Sequence, residues 1–244
     1  KKQLVEESTP VSKALVFTEY EAIQLEKIPQ ADAERVKGLI NELTIQPNLT
    51  NHLTLANAWE TIGNYPLGAY YYYKATEMNS DSLSWEIAGD KLYNSYKNYS
   101  DTLVTNNLLT FALASYETAI KSNKDDVVIR MKLAEAYVES PKPMEGIVMM
   151  REILDSIPNF TPALMRLGRL SLQTGQYDKA VDRFSTILDE HPVNTEAMYF
   201  LALAYDGLGN IEKCIQLLET CKQLVGVPEF SKEVDEFIIE LKNK

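Results

Sequence analysis

The sequence predicts an all-α chain, a right-handed α-solenoid of about 13 helices arranged as about six hairpins and one closing helix. Three observations carry that prediction. Six columns of residues recur with a period of 34 over three successive stretches: Leu133, Leu167 and Leu201; Ala134, Gly168 and Ala202; Tyr137, Ser171 and Tyr205; Gly146, Ala180 and Cys214; Met150, Phe184 and Leu218; Pro158, Pro192 and Gly226. Turn signals separate helical patterns along the whole chain. Alternating β-branched runs, the mark of strands, are scarce.

From the N-terminus, residues 1–11 read as a disordered or linker segment. Residues 12–47 read as an N-terminal capping pair, SKALVFTEYEAIQLEKI and ADAERVKGLINELTI, in which the repeat columns are lost. Residues 48–228 read as five repeats. In the first, Leu55, Ala56 and Trp59 mark one helix and Gly68, Tyr72 and Ala75 its partner. The second opens with Trp85, Ala88, Gly89 and Leu92 and continues with Ala112, Tyr116 and Ala119. Its two halves lie 24 positions apart from Ala88 to Ala112, against 13 from Leu167 to Ala180. The 11 extra residues fall near 96–107, as a longer first helix, a loop or both. Pro143 is placed to open the second helix of the third repeat. Residues 229–244 follow Pro228 as a capping helix with Phe230, Val234, Phe237, Ile238 and Leu241 on one side, the cover that an end repeat's open apolar face requires.

The stretch GAYYYYKATEM sets Tyr70, Tyr71, Tyr72 and Tyr73 in a row. Successive helical side chains point about 100° apart, so one core cannot take all four. Tyr72, in register with Gly68 and Ala75, is expected in the core beside Trp59. Tyr71 shares a stripe with Leu67, Ala75 and Met78 and is expected against a neighbouring helix. Tyr70 and Tyr73 are expected at the rim or surface.

The unit LMRLGRLSLQTGQYDKAVDRFSTILDEHP carries Leu164, Leu167, Gly168, Ser171, Ala180, Phe184 and Pro192, with Gly175 and Tyr177 at its turn. It resembles the tetratricopeptide repeat, a helix-turn-helix unit of 34 residues. The next unit keeps Met198, Leu201, Ala202, Tyr205, Gly209, Cys214 and Leu218 but has Gly226 where proline is usual. The resemblance implies a non-catalytic scaffold for protein-protein interaction, holding a protein or peptide in a concave groove lined by the first helices. It places Asn57, Glu60, Glu86, Asp90, Tyr93, Met131, Lys132, Glu135, Arg166, Arg169, Gln173, Tyr199, Leu203 and Asp206 on that wall. Arg166 and Arg169, three apart, either grip an acidic segment in bidentate fashion or pair with Glu135 or another acidic neighbour. Chaperone-binding members use a clamp of Lys, Asn, Asn, Lys and Arg across three units, and that set is missing.

Composition narrows the classes. Asp and Glu outnumber Lys and Arg by 35 to 24, a formal charge of −11 that repels phosphate backbones and argues against nucleic acid. Cys214 and Cys221, if on one helix, sit roughly 10 Å apart, too far for a disulfide. No run of 18 apolar residues is present to span a membrane. No H-E-x-x-H, C-x-x-C, G-x-S-x-G, Walker or dinucleotide pattern occurs, and His52 and His191 stand outside any motif. The reading is therefore of no enzyme, no catalytic residue, no cofactor and no metal.

The segments GNYPLGAYYYYKATEMN, SWEIAGDKLY, SPKPMEGIVMMREIL and LGRLSLQTGQYDKAVDRF are similar to a group of small tetratricopeptide proteins of Bacteroidetes. That resemblance implies a membrane-spanning or lipidated leader and a place in the periplasm or cell envelope; a cytoplasmic place is the alternative. The chain opens KKQLVEESTP without methionine and is read as a fragment, a processed form or an incomplete chain. The rival function is a structural or homo-oligomeric subunit that assembles through a convex Tyr70–Tyr73 face. The binding module is expected as a monomer or weak dimer.

Overall fold

The structure, a computed structural model, describes residues 10–78 and 81–243, so residues 1–9 of the expected linker lie outside the described residues. Among the described residues there are thirteen α-helices and no strand: α1 Pro10–Leu25, α2 Gln30–Ile45, α3 Leu49–Thr61, α4 Tyr65–Thr76, α5 Ser82–Asn98, α6 Thr102–Ala119, α7 Val127–Val138, α8 Pro143–Ser156, α9 Thr161–Gln173, α10 Tyr177–Glu190, α11 Thr195–Gly207, α12 Ile211–Val225 and α13 Pro228–Lys242.

Local chemistry sets the helix ends. A short polar side chain just ahead of a helix accepts a backbone N–H that the helix leaves unpaired. Asn48, Asn64, Asp81, Asp126, Asn194 and Asn210 do this for α3, α4, α5, α7, α11 and α12. The hairpin turns after α3, α9 and α11 each contain a glycine with positive φ: Gly63 at 86°, Gly175 at 69° and Gly209 at 73°. In each turn the next residue, Asn64, Gln176 or Asn210, donates its N–H back to Trp59, Ser171 or Tyr205 respectively. This six-residue closure needs the left-handed conformation that glycine adopts without penalty.

The chain forms two compact units, residues 1–146 and 147–244. In the second, α9 pairs with α10, α11 with α12, and α13 lies on α12. Gly168 of α9 faces the Phe184 ring of α10, and a Cβ added at Gly168 would stand 2.6 Å from that ring. Around this point Leu164, Ala180, Phe184, Ile187, Ala197, Leu201 and Ala204 form one core cluster. Val234, Ile238 and Leu241 of α13 bury against Ala202, Cys214 and Leu218, with Phe230 and Phe237 partly buried beside them.

The first unit repeats the device, with Gly89 of α5 against the Tyr116 ring of α6. Here the 11 extra residues extend both helices: α5 has 17 residues and α6 has 18, with only Tyr99–Asp101 between them. The longer α6 carries Phe111 alongside α4 and α1. In consequence α1 and α2 cover different surfaces, α2 packing on α3 while α1 packs on α6 and α4.

That arrangement corrects the reading of the tyrosines. Tyr72 is half-buried rather than core, with the Lys91 ammonium 5.2 Å from its ring centroid. Tyr70 and Tyr73 are likewise half-buried, not a free surface. Phe17 of α1 stacks on Tyr70 at 4.2 Å and 3°, while Tyr73 packs 4.7 Å from Phe111 and 5.6 Å from Trp85. Burial pushes the phenols of Tyr70 and Tyr73 up to about 12. Tyr71 donates its hydroxyl to Glu21 of α1 at 2.9 Å, the interhelical contact expected for it. The sequence pattern missed these partners because α1 lies outside the 34-residue register and Phe111 of α6 is not one of its column residues.

Gly168→Val should cost about 1–3 kcal/mol through overpacking against Phe184, read as a lower urea midpoint. Gly38 on α2 has nothing within 4 Å of an added Cβ. Gly38→Ala should therefore raise the midpoint, by about 0.5–1 kcal/mol of helix stability. Equal effects at the two sites would contradict the close approach at Gly168.

A pH dependence follows from Glu21. Burial holds its carboxyl above the ordinary range, opposed by the Tyr71 and Trp59 hydrogen bonds. The folded chain therefore binds this proton more readily than the unfolded chain. The Glu21 contribution to stability is accordingly lost as pH rises from the ordinary carboxylate value through the raised one. Relative to Glu21→Gln, the wild type should gain stability as pH is lowered from about 7 toward about 5, measured by denaturant titration at each pH. Parallel curves would show that the carboxyl is not raised.

Candidate protein-binding surfaces

In the first unit the wall residues come from α3, α5 and α7. Asn57 is exposed on α3. One turn on, Glu60 meets Lys91 of α5, with Oε1 and Nζ 2.6 Å apart. Lys132 of α7 reaches back to α5, 2.7 Å from Glu86 Oε1 and 2.7 Å from Asp90 Oδ2. The other Asp90 oxygen accepts the Tyr116 hydroxyl at 2.8 Å. Burial pulls the Lys132 ammonium down, but hydrogen bonds to Asp90 and Glu86 outweigh it and leave the group above its ordinary value. Burial and Asp90 together hold the Tyr116 phenol well above the ordinary range. The acidic stretch of the wall is thus paired sideways, helix to helix.

Tyr93 stacks on Tyr96 at 5.9 Å with Lys97 over its ring, and Glu135 is half-buried. Met131 is a correction: it is 5% exposed and follows the buried stripe through Ala134 rather than facing the wall.

Beside the Glu60–Lys91 pair opens a cleft of about 480 Å³, lined by Glu60, Tyr65, Lys91, Asn94, Ser95, Asn98 and Tyr99. Asn98 donates one amide N–H to the Asn94 carbonyl at 2.8 Å, and Tyr99 donates to the Gly63 carbonyl at 3.2 Å. The Asn94 carboxamide has no partner among the described residues and is exposed. Sequence reasoning named Glu60 here and missed the rest. Asn98 and Tyr99 lie in the extra residues, beyond the places a 34-residue unit supplies. The signal available was Asn94 and Asn98 at i and i+4, on one helix face.

In the second unit α9 presents Arg166, Arg169 and Gln173. Arg169 lies 5.1 Å from the Phe200 ring centroid and 3.9 Å from Glu196, both on α11. It is therefore held by a ring and an acidic neighbour, Glu196. Arg166 is half-buried and Gln173 exposed. Tyr199 packs 5.9 Å from Phe200 and 6.1 Å from Phe230 of α13, giving this wall an aromatic row. Leu203 and Asp206 are half-buried on α11.

Residues 171–222 match the family model of the tetratricopeptide repeat. The chain is also similar to a tetratricopeptide repeat protein from Parabacteroides merdae, with 16% identity and a TM-score of 0.61, covering 80% of this chain and 74% of that one. Likeness to MamA has 15% identity and a TM-score of 0.55, over 72% and 91%. YrrB, described as a tetratricopeptide protein with an unusual peptide-binding site, aligns at 16% identity and TM-score 0.51, over 82% and 99%. These structures share the fold. Among curated proteins, the human intraflagellar transport protein 88 homolog is 23% identical over 163 residues. The chicken DnaJ homolog subfamily C member 3 is 30% identical over 88 residues. These matches take in 64% and 36% of this chain but only 18% and 17% of those proteins.

His52 is buried, with Nδ1 donating to the Asn48 carbonyl at 2.9 Å, and His191 is exposed at the end of α10. Cys214 and Cys221 are buried on α12 and form no disulfide among the described residues. No group of three or more His, Cys, Asp or Glu placed to hold a metal occurs among the described residues. No described helix is long and apolar enough to cross a membrane.

Lys132→Met should lower the stability of the first unit by about 1 kcal/mol, because its two ion pairs are part-exposed and screened. The loss should shrink between low and high salt, measured by chemical denaturation at both. A salt-independent loss would assign the effect to packing instead.

Proposed function

We propose that the chain is a non-catalytic tetratricopeptide scaffold whose first unit holds an extended segment of a partner protein in the cleft between Tyr65 and Asn98. The observation that carries this reading is the cleft's lining. Carboxamides pair with a peptide bond through one donor and one acceptor, and Asn94 offers both without a competing partner. Lys91, already neutralised by Glu60, contributes remaining N–H donors without demanding a charged ligand. Similarity in fold to YrrB, described as having a peptide-binding site, supports the class by analogy alone. The aromatic and arginine row of the second unit is a further contact surface for the same kind of partner. Placement in a cell-envelope complex rests on the sequence resemblance to Bacteroidetes proteins.

The rival assembly reading has less support. Tyr70 and Tyr73, which were to form a self-association face, are packed against Phe17, Phe111 and Trp85 of the same chain.

The test is a selection of displayed peptides on the whole chain, followed by calorimetric titration of the enriched sequence. Asn94→Ala/Asn98→Ala should weaken binding about tenfold or more, the loss of two hydrogen bonds. Arg169→Ala serves as the comparison in the second unit. Enrichment that survives the Asn pair but not Arg169→Ala would move the site to the second unit.

A further inference from the structure

α1 is held through rings and one buried carboxylate. Phe17, Tyr20 and Glu21, at i, i+3 and i+4, share one face of α1. Phe17 and Tyr20 are 1% exposed, while Thr18 and Glu19 between them are exposed. The receiving surface comes from three helices. Tyr70 of α4 stacks on Phe17, and Phe111 of α6 closes on Phe17 at 5.8 Å. Trp59 of α3 donates its indole N–H to Glu21 Oε1 at 2.8 Å, and Tyr71 of α4 donates to Oε2 at 2.9 Å. Both carboxylate oxygens are therefore met by neutral donors, and no ion pair to Glu21 exists among the described residues. A buried carboxylate costs free energy unless it is hydrogen-bonded, and these two donors satisfy it.

We infer that Trp59, Tyr70, Tyr71 and Phe111 form a helix-binding socket of which α1 is the resident ligand. Its recognition chemistry is an aromatic ring followed four positions later by a carboxylate on one helix face. The socket is separate from the cleft at Asn94 and does not depend on the peptide-binding reading. Two features set α1 apart from a repeat helix. It falls outside the 34-residue register, and it joins the rest through a short link, Glu26–Pro29, that keeps its local concentration high. A helix in trans therefore competes only when the resident strip is weakened.

The experiment uses full-length chains and a fluorescently labelled synthetic peptide of residues 10–28, followed by anisotropy. In a Phe17→Ala/Glu21→Ala chain the resident helix loses its two anchors. That chain should bind the native peptide at least about tenfold more tightly than the wild-type chain does. A peptide carrying the same two substitutions should bind neither chain. An unrelated Ala- and Lys-based helix with Phe, Tyr and Glu at i, i+3 and i+4 should bind the variant chain within about tenfold of the native peptide. Two results would overturn the inference. One is a folded variant chain that binds the native peptide no better than wild type. The other is loss of cooperative unfolding of the first unit in the variant, which would make α1 part of the core and not its ligand.

Discussion

In four of the hairpins the two helices approach closely where one of them lacks a side chain, and the packing around each is arranged on that constraint. Gly168 accepts the Phe184 ring and Gly89 the Tyr116 ring. At Gly68 and Gly146 the facing atoms include the carbonyls of Ala56 and Ala134, so there the second helix supplies the gap. Each contact fixes the crossing point of a pair, and the apolar residues one turn either side then have a neighbour to bury against. The capped starts and glycine turns shorten the connections until no other pairing competes.

This is why the hairpins were legible in the sequence. A small residue, a ring 16 places on in the α9–α10 hairpin, and a turn glycine between them all act within one unit, so their register repeats and is visible. The position of α1 was not legible. Its contacts join Glu21 to Trp59 and Tyr71, 38 and 50 positions away, and no column records them. The assignment of Tyr72 to the core failed for the same reason. Faces were read from a 34-residue unit, and the tyrosine helix instead serves a neighbour that the unit does not contain. Met131 shows the limit on the other side, since a family position was carried over where the local stripe runs inward.

The polar surfaces follow a second logic. Glu60, Glu86 and Asp90 are acidic side chains on successive first helices. In three dimensions each meets a lysine of the next first helix, Lys91 or Lys132. Such pairs set the spacing of adjacent hairpins and leave the neutral carboxamides at the cleft as the groups still able to choose a partner. Arg169 repeats the pattern in the second unit, where a ring and a carboxylate on α11 hold it in place.

The dependence of α1 on Phe111 has a consequence for how the chain matures on the ribosome. Every hairpin closes on residues made shortly before, a local arrangement that favours rapid folding. Phe17 emerges well before Phe111 and has no complete seat until α6 has been synthesised. For that interval the nascent α1 carries unsheltered rings. Whatever captures it early, whether a holdase, another nascent copy or a membrane surface, meets it before its own chain does.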